Sequence, residues 1–274
     1  MICEKKSYAK INLSLRVVKR KKNGFHGLQS IMSLIDFYDD IEFYESDTIE
    51  VITTPYICEE KDNLCYKVAI YLKKYAKVNK GIKISINKKI PSGGGLGGGS
   101  SNAAVVLLFL NEYWEINFSK RKLMKIAFLF GADIPYFISG RQSFVSGSGE
   151  KIRNIKKPIV NDVILIVPSF SLETKKVFQS LDIGKIKKRE NKKIRIFSNM
   201  FNDLEDSANM LSKNSIINIK NQVALCGKGV TLMSGSGSTI VYYVKKDEDP
   251  IVIYNKIKEQ LTDCKIILTK MKTN

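Results

Sequence analysis

Apolar and polar residues alternate along KINLSLRVV, residues 10–18, the period-two pattern of a strand with one face in a core. A basic stretch, KRKKNGFHG, follows, and its Asn-Gly pair predicts a turn. Residues 28–47 read as further strand, with Ile31, Leu34, Ile35, Ile41 and Phe43 apolar. The spacing becomes helical over residues 63–75, with Asp62 or Asn63 as the cap, and alternation returns over 81–90. The run AAVVLLFLNEYW predicts an apolar helix over 103–114. Ser119 caps another helix reaching Phe130, with Gly131 as its stop. GADIP, residues 131–135, predicts a turn, because Pro135 disfavours helix at Ile134.

FVSGSGE, residues 144–150, closes this half, and VILIVP, residues 163–168, is a short buried strand that starts something new. A domain boundary is therefore expected near residue 150, dividing the chain into 1–150 and 151–274. Beyond it, the charge run 185–195 reads as a solvated helix face or loop. MSGSGST, residues 233–239, leads into a strand, IVYYV. Residues 250–261 form an amphipathic helix, and KIILT is a last strand.

Composition narrows the function. With 44% hydrophobic and 26% charged residues in 274, the balance is globular. A net charge of +18 attracts anions such as nucleic acid, anionic membrane, nucleotides or phosphorylated metabolites. Lysine is scattered along the whole chain beside Ile and Asn, so the charge reads chiefly as compositional bias. The five cysteines (Cys3, Cys58, Cys65, Cys226, Cys264) contain no C-x-x-C pair, which argues against a disulfide framework or thiolate zinc site. The longest apolar run, residues 103–110, is far short of the roughly 20 residues of a membrane span. The N-terminus shows no signal core. A soluble cytoplasmic protein with neither membrane nor nucleic-acid partner is the expectation. One histidine, His26, excludes an H-E-x-x-H protease and an H-R-D kinase loop, and no G-x-S-x-G elbow occurs. Acid–base chemistry falls to Asp, Glu or Lys.

Six glycines stand within residues 93–99, between a strand and a helix that starts at Ser100-Ser101. Ordering so many glycines is costly in chain entropy. The return is a backbone whose N–H groups, with the N-terminus of the following helix, point at an anion, and phosphate is the natural guest. No Lys follows the glycines, so this is not a P-loop. Gly93-x-Gly95-x-x-Gly98 matches a dinucleotide fingerprint only formally, because the preceding strand alternates and no acid stands about 20 residues on. A KH-type GxxG match lacks its basic residue.

The segment PSGGGLGGGSSNAA closely resembles the ATP-binding loop of the GHMP kinase superfamily. AKINLSL, NGFHGLQSIMSLIDFYDDI and LFGADIPYF resemble, within it, the family of 4-diphosphocytidyl-2-C-methyl-D-erythritol kinases, and LMSGSGST is similar to the superfamily's third glycine motif. The resemblance spans Ala9 to Val244. It implies a two-domain α+β fold, with a ribosomal protein S5 domain 2-like N-terminal domain, a ferredoxin-like C-terminal domain and the active site in the cleft between them. It further implies phosphorylation of the 2-hydroxyl of the cytidylyl alcohol in non-mevalonate isoprenoid biosynthesis, by a monomer or weak homodimer acting on small molecules.

By that resemblance Asp133 is the catalytic base, where an Asp in a turn would otherwise be a cap. Lys10, otherwise an outward solvated lysine, reaches the active site beside it. ATP is held by Pro91, Ser92, Gly93, Gly94, Gly95, Leu96, Gly97, Gly98, Gly99, Ser100 and Ser101, with Lys88 and Asn63 near the adenine. Asn12, two residues from Lys10 on the same strand face, bonds the erythritol. His26 hydrogen-bonds the cytosine, Phe25 stacks on it, and Thr174 and Phe178 form a second substrate segment. Phe25 stands where Tyr is common, and stacking needs only the ring face. No metal cage is visible, so Mg²⁺ arrives with ATP, and Ser100 or Ser101 supplies at most a ligand. Two alternatives stay open: a superfamily kinase acting on homoserine or a mevalonate derivative, and a nucleic-acid-binding protein whose glycine loop clamps a phosphate backbone.

Overall fold

The computed structural model describes residues 1–20, 26–182, 184 and 198–272. The Asn23-Gly24 turn, Phe25 and the charge run of residues 185–195 lie outside the described residues. Strands β1 (Cys3–Arg20) and β2 (His26–Tyr44) form a long antiparallel pair that sets Lys10 opposite Leu34 and Asn12 opposite Met32. One end of β2 pairs with β4 (Ile82–Asn87), which runs parallel to β3 (Ile49–Thr54). Its other end pairs with β5 (Ser143–Gly147), which pairs in turn with β6 (Lys151–Asn154). This sheet therefore runs on to Asn154. It also takes back β8 (Phe201–Asn202), parallel to β1 at Ser14 and Leu15.

Four helices pack with this sheet: α1 (Leu64–Ala76), α2 (Gly98–Tyr113), α3 (Lys120–Phe128) and α4 (Ile134–Ser139). Their shared core includes Phe43, Ile84, Leu72, Leu107 and Ile134. Asn63 caps α1 by accepting from Cys65 N at 2.9 Å, and Ser119 caps α3 through Lys122 N at 3.3 Å. Three local expectations change. Helix α2 starts two residues before Ser100, at Gly98. Helix α3 ends at Phe128 on a right-handed Leu129 cap, so Gly131 is not its stop. Ile134 begins α4, because Pro135 falls in the first turn, where a missing N–H costs no helical bond.

The second sheet has the order β11-β7-β10-β9, all antiparallel: β7 (Asp162–Pro168), β9 (Val230–Met233), β10 (Ile240–Tyr243) and β11 (Cys264–Lys270). The helices of this part of the chain are α5 (Thr174–Gln179), α6 (Glu205–Leu211), α7 (Ser215–Ala224) and α8 (Pro250–Gln260). A third core joins the sheets, with Ala9, Ile11, Leu13 and Leu96 packed among Val163, Leu165, Val241 and Tyr243. Removing that much apolar surface from water, at about 25 cal/mol per Å², holds the two sheets as one body. With one side of β1 committed to this core, its polar side is left to floor the space beside it.

Candidate active site

That floor is buried. Lys10 is 3% exposed, so the solvated reading of its strand position fails. Its Nζ donates to Asn12 Oδ1 at 2.7 Å, confirming that the two share a strand face. Asn12 Oδ1 also accepts from Gly235 N at 2.9 Å, and its Nδ2 donates to Ser30 Oγ at 2.8 Å. Burial pulls the Lys10 ammonium below the usual lysine value, and the Asp133 carboxylate opposes that pull.

A cleft of about 520 Å³ opens above the floor, walled by Pro91, Ser92 and the glycines. The loop is held by its one apolar residue. Leu96 is fully buried in the inter-sheet core, and its carbonyl accepts from Lys10 N at 3.0 Å. Its contribution to the site is backbone placement, with no side chain in the cleft. On its far side the loop rests on the Ser234–Thr239 turn: Ser234 Oγ donates to Gly95 O at 3.0 Å and Thr239 N to Gly94 O at 3.2 Å. Gly95 has φ +74°, and a Cβ there would lie 2.0 Å from Ser234 O. Gly97, also left-handed at φ +73°, is the N-cap of α2, and a Cβ there would meet the Phe137 ring at 2.8 Å. Only glycine satisfies both the backbone sign and the contact.

Asp133 precedes α4 and lines the cleft, with its side chain making no capping bond. Among the described residues its carboxylate has no hydrogen-bond or ion-pair partner, which leaves it available to a ligand. The buried Tyr136 hydroxyl, pushed well up by burial and by Asp133, is also without a partner there.

At the other end, Thr174 and Phe178 of α5 reach the cleft, and Thr174 Oγ1 bonds Ser236 Oγ at 2.8 Å. The His26 ring stacks on Phe178 with centroids 5.2 Å apart and planes 26° apart. Residues far apart in sequence, at the start of β2 and on α5, thus meet. Leu15, Leu28 and Leu204 complete this apolar end.

Two other expected residues sit differently. Ser101 is 2% exposed and accepts from Ser7 Oγ at 2.8 Å, facing β1, so Ser100 is the serine of the pair that lines the cleft. Asn63 spends its side-chain oxygen on the α1 cap, while its neighbour Leu64 lines the cleft. Lys88 does line it, paired with Asp39 and donating to Asn102 Oδ1 at 2.9 Å. Asp39, Asn102 and Ser30 escaped the sequence reading, because a polar residue in a strand or helix carries no local mark of a distant partner. Among the described residues no three His, Cys, Asp or Glu side chains gather as a metal cluster. That donor set suits a cation that brings most of its own oxygen ligands.

A family model for the GHMP kinases N terminal domain matches residues 63–141, from the α1 cap through α4. A 4-diphosphocytidyl-2-C-methyl-D-erythritol kinase of Clostridioides difficile (strain 630) is 38% identical, over 90% of this chain and 88% of that protein. The chain belongs to the 4-diphosphocytidyl-2-C-methyl-D-erythritol kinase family. A second kinase of that name, from Clostridium botulinum (strain Alaska E43 / Type E3), is 34% identical over 96% of this chain and 99% of its own. Membership makes the chain an ATP-dependent GHMP kinase and fixes its α+β fold. A crystal structure of 4-(cytidine 5'-diphospho)-2C-methyl-D-erythritol kinase matches in fold with a TM-score of 0.83, at 24% identity, over 99% of this chain and 100% of the other. The Methanococcus jannaschii mevalonate kinase matches at 0.68 and 15% identity over 98% of each chain. The mevalonate kinase thus shares the fold. No helix among the described residues is long and apolar enough to cross a membrane.

Proposed function

We propose that this kinase transfers the γ-phosphoryl group of ATP to the 2-hydroxyl of 4-diphosphocytidyl-2-C-methyl-D-erythritol, the substrate its relatives are named for, in isoprenoid precursor synthesis. One observation carries the reading: Lys10 and the unpartnered Asp133 lie in the same cleft as a glycine-rich anion loop and a stacked aromatic pair. The glycine loop and the first turn of α2, with Ser100, present N–H groups to the triphosphate. The cytosine lies at the His26–Phe178 end of the cleft, hydrogen-bonded by His26, with Thr174 beside it and with Phe25 and Phe178 as the rings expected to sandwich it. Asn12 orients Lys10, and its remaining amide hydrogen serves the erythritol.

Asp133 accepts the proton of the 2-hydroxyl as that oxygen bonds to the γ-phosphorus and the bond to the bridging oxygen breaks, releasing ADP. An alcohol is too weak an acid to be ionised beforehand by a carboxylate, so proton transfer accompanies phosphoryl transfer and positioning dominates. Lys10 offsets charge on the transferring group. Ser100, the cleft-lining serine of the Ser100-Ser101 pair, would join the shell of a Mg²⁺ brought by ATP, which would supply neutralisation of phosphate oxygens. It acts on small molecules in the cytoplasm, as a monomer or weak homodimer, and its five free cysteines suit that reducing compartment.

Asp133→Asn is the test. Loss of a general base lowers kcat by about 10²–10⁴-fold, measured as ADP release with the cytidylyl substrate, while ATP still binds. An Asp133→Asn enzyme with wild-type kcat would overturn the assignment. ADP release with homoserine or mevalonate but not the cytidylyl substrate would overturn the substrate.

A further inference from the structure

Asp39 is fully buried on β2, far in sequence from the glycine loop, yet four donors converge on its carboxylate. Oδ1 accepts from the backbone N–H groups of Lys89 at 2.7 Å and Ile90 at 2.8 Å, where β4 turns into the loop. Oδ2 accepts from Asn102 Nδ2 at 2.9 Å, in α2, and from the Lys88 ammonium. Asn102 closes the circuit, since its Oδ1 accepts from Lys88 Nζ at 2.9 Å and its Nδ2 also donates to Ser7 Oγ at 2.9 Å. One carboxylate thus fixes both ends of the glycine loop, its entry from β4 and its exit into α2, and holds a cation between them.

The Lys88 ammonium has three hydrogens and two protein acceptors. Its side chain is 7% exposed and lines the cleft, close enough to the start of α2 that a Cβ on Gly98 would lie 3.2 Å from Nζ. The third hydrogen therefore belongs to whatever anion or acceptor occupies the loop. A buried ammonium with no counter-charge is costly, so the paired Asp39 carboxylate is what holds Lys88 in place.

We propose that Asp39 is a positioning residue for the nucleotide: acting through Lys88 and the two loop-entry amides, it sets the cation and the glycine loop in register for the ATP phosphates. The proposal rests on the kinase reading for its ligand but not on the identity of the alcohol. ATP binding alone, measured by calorimetry without second substrate, therefore tests it separately. Asp39→Asn keeps the size of the side chain, removes its charge and turns a donor toward donors. It raises the ATP Kd about tenfold or more, and leaves the Kd of the cytidylyl substrate within about twofold. Lys88→Met weakens ATP binding as well, and Asp39→Asn added to Lys88→Met costs much less than it costs alone, since the cation it served is gone.

A merely structural role would lower the binding stoichiometry with Kd unchanged or weaken both ligands alike, and would give multiplicative effects in the double variant. Either result overturns the proposal. Should Asp39→Asn not fold, Asn102→Ser serves in its place: it leaves the carboxylate intact but removes Lys88's second acceptor, and the ATP Kd rises several-fold. An unchanged ATP Kd in that variant also overturns it. A wild-type enzyme that binds ATP and this network's variants as expected, yet phosphorylates a different alcohol, leaves the role of Asp39 standing and sinks only the substrate.

Discussion

Replacing Gly95 by Ala isolates what the glycine loop requires of its backbone. Two costs arise. The residue sits at φ +74°, where an L side chain costs about 1–2 kcal/mol. Its new Cβ would also lie 2.0 Å from Ser234 O, 3.0 Å from Ser234 C and 3.1 Å from Gly237 N, all backbone of the opposing turn. Neither backbone can yield as a side chain would, so the loop must retreat by about 1 Å or more to restore ordinary van der Waals contact. Misplacement of about 1 Å at a site that works by positioning costs about 10²-fold in rate. Gly140→Ala is the matched control. It has a similar φ of +69°, at the end of α4, but its nearest neighbour would be Phe137 O at 3.7 Å. Both variants should lose about 1–2 kcal/mol of stability from the backbone term, read as a fall in Tm. Only Gly95→Ala should lose kcat/KM for ATP, by about 10²-fold. Wild-type kcat/KM in Gly95→Ala, or equal damage in Gly140→Ala, would refute the claim that loop-to-turn contact sets the geometry.

Lys10→Met should abolish most phosphoryl transfer while leaving Tm at pH 7 unchanged or raised, because it removes a buried charge. The Lys10 ammonium titrates below the usual lysine value. Between its folded and unfolded pKa the unfolded chain therefore holds more protons, and wild-type stability rises with pH across that window. Urea melts at stepped alkaline pH should show that slope in the wild type and not in Lys10→Met, while activity that needs the ammonium falls over the same range. Phe178→Ala removes one face of the aromatic slot. Stacking of about 0.5–1.5 kcal/mol predicts a KM for the cytidylyl substrate raised about 2–13-fold, with KM for ATP unmoved, and steady-state kinetics varying each substrate in turn checks both.

What the sequence displays is what local physics marks. The period-two run through β1, the Asn63 and Ser119 caps and the apolar α2 are patterns within one element, and the structure carries each of them. The glycine loop is legible for the same reason, since so many adjacent glycines have no packing purpose. Lys10 shows the limit. Its strand was readable, but the fate of its polar face was not, because whether that face meets water depends on Leu96 and the Ser234–Thr239 turn closing over it. Ser100 and Ser101 show the same limit within a helix: about 100° of rotation, one residue's step, separates a cleft residue from one bonded to Ser7. The Asp133 side chain escaped its cap role only because Pro135 and the buried Ile134 start α4 without it.

The sheets and the site are therefore fixed by the same residues. Leu96 enters the inter-sheet core and gives its carbonyl to Lys10 N, so packing of the two sheets sets the height of the glycine loop over the floor. Asn12 takes Gly235 N and Lys10 Nζ on a single oxygen, so the second sheet's turn and the first sheet's lysine cannot move independently. Tyr243, buried on β10, donates its hydroxyl to Asn12 O at 3.1 Å and repeats the link from below. A catalyst that relies on positioning more than on basicity needs its two halves joined at this place. The consequence is that substitutions in the inter-sheet core, such as Leu96→Ala, act on ATP turnover before they act on folding: the loss of an anchored backbone is felt first where about 1 Å counts.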